Sequence, residues 1–162
     1  MIIVLIGVSG SGKTTIGKKL ADSIDYEFHD ADDFHPPKNV EKMQAGIPLE
    51  DVDRIPWLQS IRDTIAQWLQ KNQNIVIACS ALKESYRQTL LVDEEHIKLI
   101  YLKGSFELIQ KRLQERKHHF MSERLLKSQF DTLEEPSKVL TVDISKPSEE
   151  IVDIIKEFLR KN

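Results

Sequence analysis

The chain has 162 residues, of which 40% are hydrophobic and 30% are charged, a composition typical of one soluble domain with a sizeable core. Its 23 lysines and arginines against 26 aspartates and glutamates give a formal charge of -3, which argues against a nucleic-acid-binding protein and favours small-molecule partners. Since Cys79 is the single cysteine, no apolar run reaches membrane-spanning length and the first residues show no targeting leader, we expect a reduced, cytoplasmic location and no membrane partner.

A glycine-rich phosphate loop follows the first apolar run. Residues 2–6 predict a buried strand and residues 15–21 predict a helix, so the loop has the strand-to-helix context that it requires. Glycines let successive N–H groups point inward, and the helix N-terminus adds partial positive charge. We expect Lys13 to reach the outer phosphates and Thr14 to ligate magnesium; the alternative is a turn that only joins strand to helix. The residues expected to bind a nucleoside triphosphate are Gly7, Val8, Ser9, Gly10, Ser11, Gly12, Lys13, Thr14 and Thr15.

Five apolar runs predict strands, and helical patterns lie between them. This alternation predicts one domain, residues 1–162, with a five-stranded parallel sheet between two helical layers, a three-layer α/β/α fold. Ligands of such folds collect at the carboxyl ends of the strands, so functional residues are expected directly after them. The predicted strands lie at residues 2–6, 26–29, 75–79, 97–102 and 139–142.

Two aspartates, Asp30 and Asp32, follow the second predicted strand. If the extended geometry continues, residues two apart project to the same side. One carboxylate could then hold magnesium through water, while the other accepts or orients the proton of an acceptor hydroxyl. The alternative is an aspartate-rich turn that caps the next element. The position after the second strand of a phosphate-loop domain favours the functional interpretation.

An insertion at about 35–56 separates the second and third strands and resembles a substrate-covering subdomain. Its turn residues bracket a short helix, with Asn39 as the expected N-cap and Gly46 as the C-terminal stop. The longer helix that follows has one apolar face. Because Trp68 is one of the apolar residues that recur on that face at helical spacing, we interpret it as a core residue.

The most basic region, at about 112–127, begins on a predicted helix. The ordinary interpretation is a solvated polar face. Beside a phosphate loop, a mobile basic segment can instead close over a triphosphate and stabilise charge on the transferred group, and we favour such a lid. Its basic residues are Arg112, Arg116, Lys117, His118, His119, Arg124 and Lys127.

Six further polar side chains lie near predicted loops and helix starts, namely His35, Asp53, Arg54, Lys83, Tyr86 and Arg87. Taken singly, each is unremarkable. Together they could bind a polyol that carries a carboxylate, because a guanidinium pairs with the acid and the other groups donate to hydroxyls or accept from them.

Several stretches beyond the phosphate loop indicate a family to which the chain is similar. They are residues 30–36, 39–43, 46–49, 53–58, 78–83, 86–87, 119–121 and 128–130. On these stretches the chain resembles the gluconate kinases, a family of small P-loop NTPase-fold kinases related to shikimate and adenylate kinases. The resemblance covers nearly the whole chain. It implies transfer of the γ-phosphate of ATP to the 6-hydroxyl of D-gluconate, with magnesium, by an enzyme that is commonly a homodimer.

The resemblance also implies roles for individual residues. Asp30 would face the magnesium ion, and Asp32 would meet the acceptor hydroxyl. The implied catalytic residues are Lys13, Asp32 and Arg116; the implied gluconate anchors are Arg54, Lys83 and Arg87; the implied lid arginines are Arg112 and Arg116.

Three other functions stay open on the sequence. A kinase for another sugar acid or for shikimate shares the build, although residues 79–83 lack the glycine-rich turn that shikimate kinases usually carry there. A nucleoside or nucleotide kinase would phosphorylate a nucleoside or AMP. A regulatory module would bind nucleotide without acceptor-dependent turnover, but the chain has no Asn-Lys-x-Asp guanine motif.

Overall fold

A computed structural model describes residues 1–116 and 122–162 and contains a parallel sheet of five strands. The strand order is β2-β3-β1-β4-β5, and every neighbouring pair is parallel. The predicted sheet is therefore confirmed, with strand ends that differ from the prediction by one residue at most. The strands are β1 (Ile2–Ile6), β2 (Glu27–Asp30), β3 (Ile75–Cys79), β4 (Ile97–Lys103) and β5 (Leu140–Asp143).

Helices cover both faces of the sheet, as the alternating pattern predicts. A short 3-10 turn, Ala31–Phe34, links β2 to the first helix of the insertion. Within the described residues, no helix is long and apolar enough to cross a membrane. The helices are α1 (Lys13–Ile24), α2 (Pro37–Gln44), α3 (Asp51–Gln70), α4 (Glu84–Leu90), α5 (Phe106–Gln114), α6 (Glu123–Thr132) and α7 (Ser148–Lys161).

Side chains that alternate along β1 divide the core into two layers. Ile3 and Leu5 belong to a cluster with residues of α1, α5 and α7, whereas Ile2, Val4 and Ile6 belong to a cluster with residues of α3 and α4. All five are fully buried. Because both faces of the strand are covered, the sequence of β1 is a continuous apolar run instead of an alternating one.

The first helix of the insertion begins earlier than predicted, and Asn39 is not its N-cap. Helix α2 has Pro36 as N-cap and begins at Pro37, a residue suited to a first turn because that position needs no N–H donor. Asn39 lies inside the helix, is buried, and donates from Nδ2 to the carbonyl oxygen of Asp53 at 2.9 Å. Asn39 therefore joins α2 to α3. Gly46, with φ of +74°, follows the helix end as predicted.

Helix α3 begins at a capping box, in which Glu50 and Asp53 each accept a hydrogen bond from the other's backbone N–H. This start places Arg54 near the first turn, with only 8% of its surface exposed. Farther along the helix, Trp57 and Trp68 pack against the sheet. The interpretation of Trp68 as a core residue is confirmed.

Strands β2, β3 and β1 are neighbours, so the loops at their carboxyl ends lie side by side at one edge of the sheet. The phosphate loop follows β1, the aspartates follow β2, and Ser80 follows β3. Three short loops from distant parts of the sequence therefore share one site.

Candidate active site

The loop between β1 and α1 has the backbone geometry of an anion cradle. Gly10 and Gly12 have φ of +81° and +94°, a left-handed conformation that glycine adopts without steric cost. An added Cβ at Gly7 would lie 2.6 Å from Ser11 Oγ and 3.0 Å from the carbonyl oxygen of Leu102, so a side chain there would require its neighbours to shift. Helix α1 begins directly after Gly12, and its first N–H groups have no partner within the helix. The loop and the helix end together present N–H donors to an anion.

Lys13 extends across the phosphate loop. Its Nζ donates to the carbonyl oxygens of Gly7 and Val8, each at 2.9 Å. Burial lowers the pKa of Lys13, while the carboxylates of Asp32 and Asp30 act in the opposite direction. The side chain thus places a cation within the loop and beside both aspartates.

Two neighbouring pockets meet at this edge of the sheet. The large cleft, about 650 Å³, lies over the phosphate loop and extends to α2. The small pocket, about 110 Å³, extends toward α3 and the loop after β3. A molecule in one pocket would lie next to a molecule in the other, an arrangement suited to transfer of a group between them. The residues that line both pockets are Ser9, Lys13, Asp32, Met43 and Leu125.

Asp30 contacts both α1 and the 3-10 turn that follows β2. Its Oδ2 accepts from Thr14 Oγ1 at 3.0 Å, and its Oδ1 accepts from the backbone N–H of Asp32 at 2.9 Å. The expected continuation of extended geometry after β2 is wrong, because Ala31 begins the 3-10 turn and Asp30 caps it. The turn that the alternative expects is therefore present, with Asp30 as its cap. Both aspartates nevertheless line the large cleft.

Asp32 lies where the two pockets join. Partial removal from water raises the pKa of its carboxyl group, the ammonium of Lys13 lowers it, and the negative charge of Asp30 raises it. Because 70% of the side chain is still exposed, water screens these effects. We therefore expect a carboxylate at neutral pH, and one that accepts a proton more readily than an isolated aspartate.

His35 forms one wall of the small pocket and has a defined tautomer. Its ring stacks on Trp57, with centroids 4.3 Å apart. Asn39 Nδ2 donates to a backbone carbonyl and also lies 3.1 Å from His35 Nδ1, so Nδ1 is the acceptor and Nε2 carries the proton. Nε2 lies 3.9 Å from Asp32 Oδ1. Burial and the nearby Arg54 guanidinium lower the pKa of His35 to about 4, so the ring is neutral at physiological pH.

Arg54 reaches the small pocket from α3, whereas Lys83 does not reach it. Arg54 Nη1 donates to Tyr86 Oη at 3.1 Å, and the hydroxyl of Tyr86 donates in turn to Asp51. Lys83 Nζ donates to both carboxylate oxygens of Asp51, at 3.0 and 3.1 Å. Of the described residues that line the two pockets, Arg54 is one and Lys83 is not. The expected direct role of Lys83 is therefore unsupported by its position.

Arg87 is buried, and all five of its N–H groups donate to protein acceptors. Nη1 donates to the carbonyl oxygens of Ala81 and Leu82, at 2.9 and 3.1 Å. Nε and Nη2 donate to the carboxylate of Glu84, and Nη2 also donates to the carbonyl oxygen of Glu134 at 2.8 Å. This geometry corrects the expectation of a substrate anchor, because no N–H donor remains for a ligand. Arg87 instead joins the loop after β3 to the loop after α6.

Arg112 and Arg116, the two arginines expected to act from the lid, lie next to the phosphate loop. Arg112 Nη2 donates to the carbonyl oxygen of Ile144 at 2.6 Å. Arg116 lines the large cleft, and both arginines line a neighbouring groove of about 200 Å³ that also includes Gly10 and Gly12 of the loop. Residues 117–121, the middle of the expected lid, lie outside the described residues. Polar residues that share the groove with the arginines are Ser11, Thr15, Lys146 and Ser148.

One contact at the site has no counterpart in the predictions. Gln129 of α6 exchanges two hydrogen bonds with Ser9, and both residues line the small pocket. Gln129 belongs to a stretch that carries the family resemblance, but a role for it depends on a contact between residues 120 positions apart. No local pattern in the sequence indicates such a contact.

The chain is similar to small kinases along nearly its whole length. A family model described as shikimate kinase matches residues 9–160. The thermoresistant gluconokinase of Escherichia coli is 43% identical, over 99% of this chain and 94% of that protein. A sugar kinase structure from a Janibacter species has a TM-score of 0.91 and 40% identity, over 98% of this chain and 94% of that one. A gluconokinase structure from Sinorhizobium meliloti has a TM-score of 0.81 and 41% identity, over 93% and 86%.

Proposed function

Because the chain belongs to the gluconokinase family, within the wider shikimate kinase family, we propose that it transfers the γ-phosphoryl group of ATP to the 6-hydroxyl of D-gluconate. The products are 6-phospho-D-gluconate and ADP. One observation carries the proposal: the large cleft and the small pocket meet at Lys13 and Asp32, so a cation and a carboxylate lie where donor and acceptor would touch.

ATP would occupy the large cleft. The N–H groups of the phosphate loop and of the first turn of α1 would bind the phosphates, and Lys13 would exchange its contacts with the loop carbonyls for contacts with the outer phosphates. Arg116 lines the same cleft and would stabilise the charge on the transferred group. Arg112, in the groove of about 200 Å³ next to the loop, would contact the nucleoside side of ATP.

Thr14 and Asp30 would hold the magnesium ion. Their side-chain oxygens lie 3.0 Å apart beside the phosphate loop, and oxygen ligands are those that magnesium prefers. The described residues contain no group of three or more His, Cys, Asp or Glu side chains arranged to hold a metal ion. The phosphates and water would therefore provide most of the ligands. When bound, the ion neutralises charge on the β- and γ-phosphates.

D-Gluconate would occupy the small pocket. Arg54 is nearly buried there and donates one hydrogen bond to Tyr86, so other N–H groups of its guanidinium can pair with the carboxylate of the substrate. The neutral ring of His35 presents its Nε2–H toward Asp32 and would donate to a substrate hydroxyl. Asp32 would receive the 6-hydroxyl where the pockets meet.

In the transfer itself, the oxygen of the 6-hydroxyl forms a bond to the γ-phosphorus. The bond between that phosphorus and the bridging oxygen breaks, and its electron pair leaves with ADP. The hydroxyl proton passes to Asp32 if the carboxylate acts as a base, or to the transferred group if Asp32 only orients the hydroxyl. Both routes need an unprotonated Asp32.

The insertion at about 35–56 and the segment at about 112–127 would close over the two substrates, as the sequence predicts. We also propose a cytoplasmic enzyme that forms a homodimer. Sedimentation of the purified protein tests the second point, since a species of twice the 18.7 kDa chain mass is expected.

The experiment that tests the proposed function is ADP production by the purified protein with magnesium and ATP. D-Gluconate is compared with other aldonates, shikimate, AMP and no acceptor. Strong stimulation by D-gluconate alone is expected. ATP binding without stimulation by any acceptor would contradict the proposal and favour a regulatory module, whereas stimulation by AMP or shikimate would identify a different kinase.

A further inference from the structure

Ser9 and Gln129 form a reciprocal pair of hydrogen bonds that joins α6 to the phosphate loop. The backbone N–H of Ser9 donates to Gln129 Oε1 at 2.7 Å, and Gln129 Nε2 donates to Ser9 Oγ at 3.0 Å. A backbone N–H can only donate, so the amide oxygen must face it and the amide nitrogen must face the hydroxyl. The orientation of the Gln129 amide is therefore determined.

This arrangement directs the hydroxyl proton of Ser9. Because Ser9 Oγ accepts from Gln129, its own O–H must point elsewhere, and it donates to no acceptor among the described residues. Ser9 lines both the large cleft and the small pocket, as Lys13 and Asp32 do. The hydroxyl thus lies beside the place where the phosphoryl group would pass from ATP to its acceptor.

Helix α6 is held in place at both ends, so Gln129 keeps its position. Leu125 and Leu126 are buried near the start of the helix. After its end, the N–H of Glu134 donates to the carbonyl oxygen of Leu82 at 2.8 Å, and Arg87 donates to the carbonyl oxygen of Glu134. The hydrogen bonds of Arg87, which join the loop after β3 to the loop after α6, therefore support the contact between α6 and the phosphate loop.

We propose that the Ser9 hydroxyl donates a hydrogen bond to the phosphoryl group during its transfer, and that Gln129 is a positioning residue that sets the direction of this donor. The inference rests on the proposed kinase function. It adds a hydrogen-bond donor on the side of the phosphate loop that faces the phosphoryl acceptor. Negative charge spreads over the equatorial oxygens of the group in transit. A fixed donor beside the place where this charge develops stabilises the transition state more than the ground state.

The test compares Ser9→Ala, Gln129→Met and the double variant. Ser9→Ala should lower kcat with D-gluconate about tenfold to a hundredfold, while the Kd for ADP changes by less than about twofold. Gln129→Met alone should lower kcat about tenfold, but in the Ser9→Ala background it should cost less than about twofold more, because it acts through the missing hydroxyl.

Gln110→Ala is the matched control. Gln110 Nε2 also donates to α6, to Glu123 Oε1 at 2.9 Å, but neither residue lines the large cleft or the small pocket. Its kcat should stay within about twofold of the wild type. A kcat of Ser9→Ala within about twofold of the wild type would overturn the inference. Parallel losses of kcat, ADP affinity and thermal stability in Gln129→Met would also overturn it, because they indicate a structural role.

A second readout does not depend on D-gluconate. ADP with magnesium and fluoroaluminate mimics the phosphoryl group in transit, and Ser9→Ala should weaken its binding about tenfold more than it weakens ADP binding. Equal effects on the two ligands would contradict the role of Ser9. If the wild type makes no product from D-gluconate, the proposed function fails, and this binding comparison still decides the inference.

Discussion

Arg54 and Arg87 are two buried arginines near one another, yet their surroundings differ. Arg54 lines the small pocket and makes one side-chain hydrogen bond among the described residues, to Tyr86. Arg87 is only 1% exposed and uses all five N–H groups on protein acceptors. A guanidinium with donors to spare can bind a substrate, whereas a saturated one holds loops together. The number of N–H donors left unused therefore distinguishes the substrate site at Arg54 from the structural junction, the set of hydrogen bonds by which Arg87 joins two loops.

The same distinction applies to other polar side chains. The carboxylate of Asp32 is mostly exposed to the cleft, whereas the carboxylate of Asp51 accepts hydrogen bonds from Tyr86 and Lys83. Substitutions in the pocket should change kinetics more than stability. Substitutions in the junction should do the reverse.

The largest effect is expected for Asp32→Asn. An amide cannot accept the hydroxyl proton, so kcat should fall by about 10²–10⁴-fold. Because the side chain is 70% exposed, the free energy of unfolding should change by less than about 1 kcal/mol. Steady-state kinetics and urea denaturation measure the two quantities. Near-normal turnover in the purified variant would remove Asp32 from the mechanism.

Arg87→Met should lower the free energy of unfolding by about 3 kcal/mol. The buried carbonyl oxygens of Ala81 and Leu82 would lose their charged donor. Below its unfolding temperature, the variant should keep its KM for D-gluconate within about threefold of the wild type. Normal stability combined with a strongly raised KM would instead mark Arg87 as a direct substrate ligand.

His35 should make stability depend on pH. Its pKa is lowered from 6.5 to about 4 in the folded chain, so between these values the unfolded chain binds a proton that the folded chain does not. The resulting stability is complete above pH 6.5 and is lost as the pH falls to about 4, by up to about 3 kcal/mol. Urea denaturation across this range should show a smaller decrease in His35→Gln. Identical slopes for the two proteins would contradict the burial of a neutral His35.

Arg54→Met should raise the KM for D-gluconate about tenfold to a hundredfold, with a smaller change in kcat, because the carboxylate is bound in both ground and transition states. Lys83→Met is the matched control. Its ammonium pairs with the largely exposed Asp51, so the KM should change by less than about twofold. Equal effects of the two substitutions would mean that donor capacity does not identify the substrate ligands.

Much of the fold and the phosphate site could be predicted because their signals are local. The continuous apolar run of β1 and the glycines after it are determined by neighbours in sequence, and Gly10 and Gly12 have the left-handed φ values that the loop needs. The sequence also predicts the aspartates after β2 as site residues, although Ala31 begins a turn in place of the expected extended backbone.

The parts that could not be predicted depend on distant partners. Arg87 looks like a substrate anchor in the sequence, but the carbonyl oxygen of Glu134, 47 positions away, accepts one of its hydrogen bonds. Asn39 resembles a cap, but its amide bonds to Asp53 and His35 from inside the helix. Residue type and spacing show that a polar group is present, but they do not show whether another part of the chain already satisfies it.

The most direct test of the central claim is phosphorus NMR of the reaction mixture with ATP and D-gluconate, without proton decoupling. If the 6-hydroxyl is the acceptor where the two pockets meet, a new phosphate ester signal should appear as a triplet, because the ester carbon carries two protons. A doublet would place the phosphate on a secondary hydroxyl and contradict the proposed acceptor. The absence of any new ester signal would contradict the kinase activity on D-gluconate.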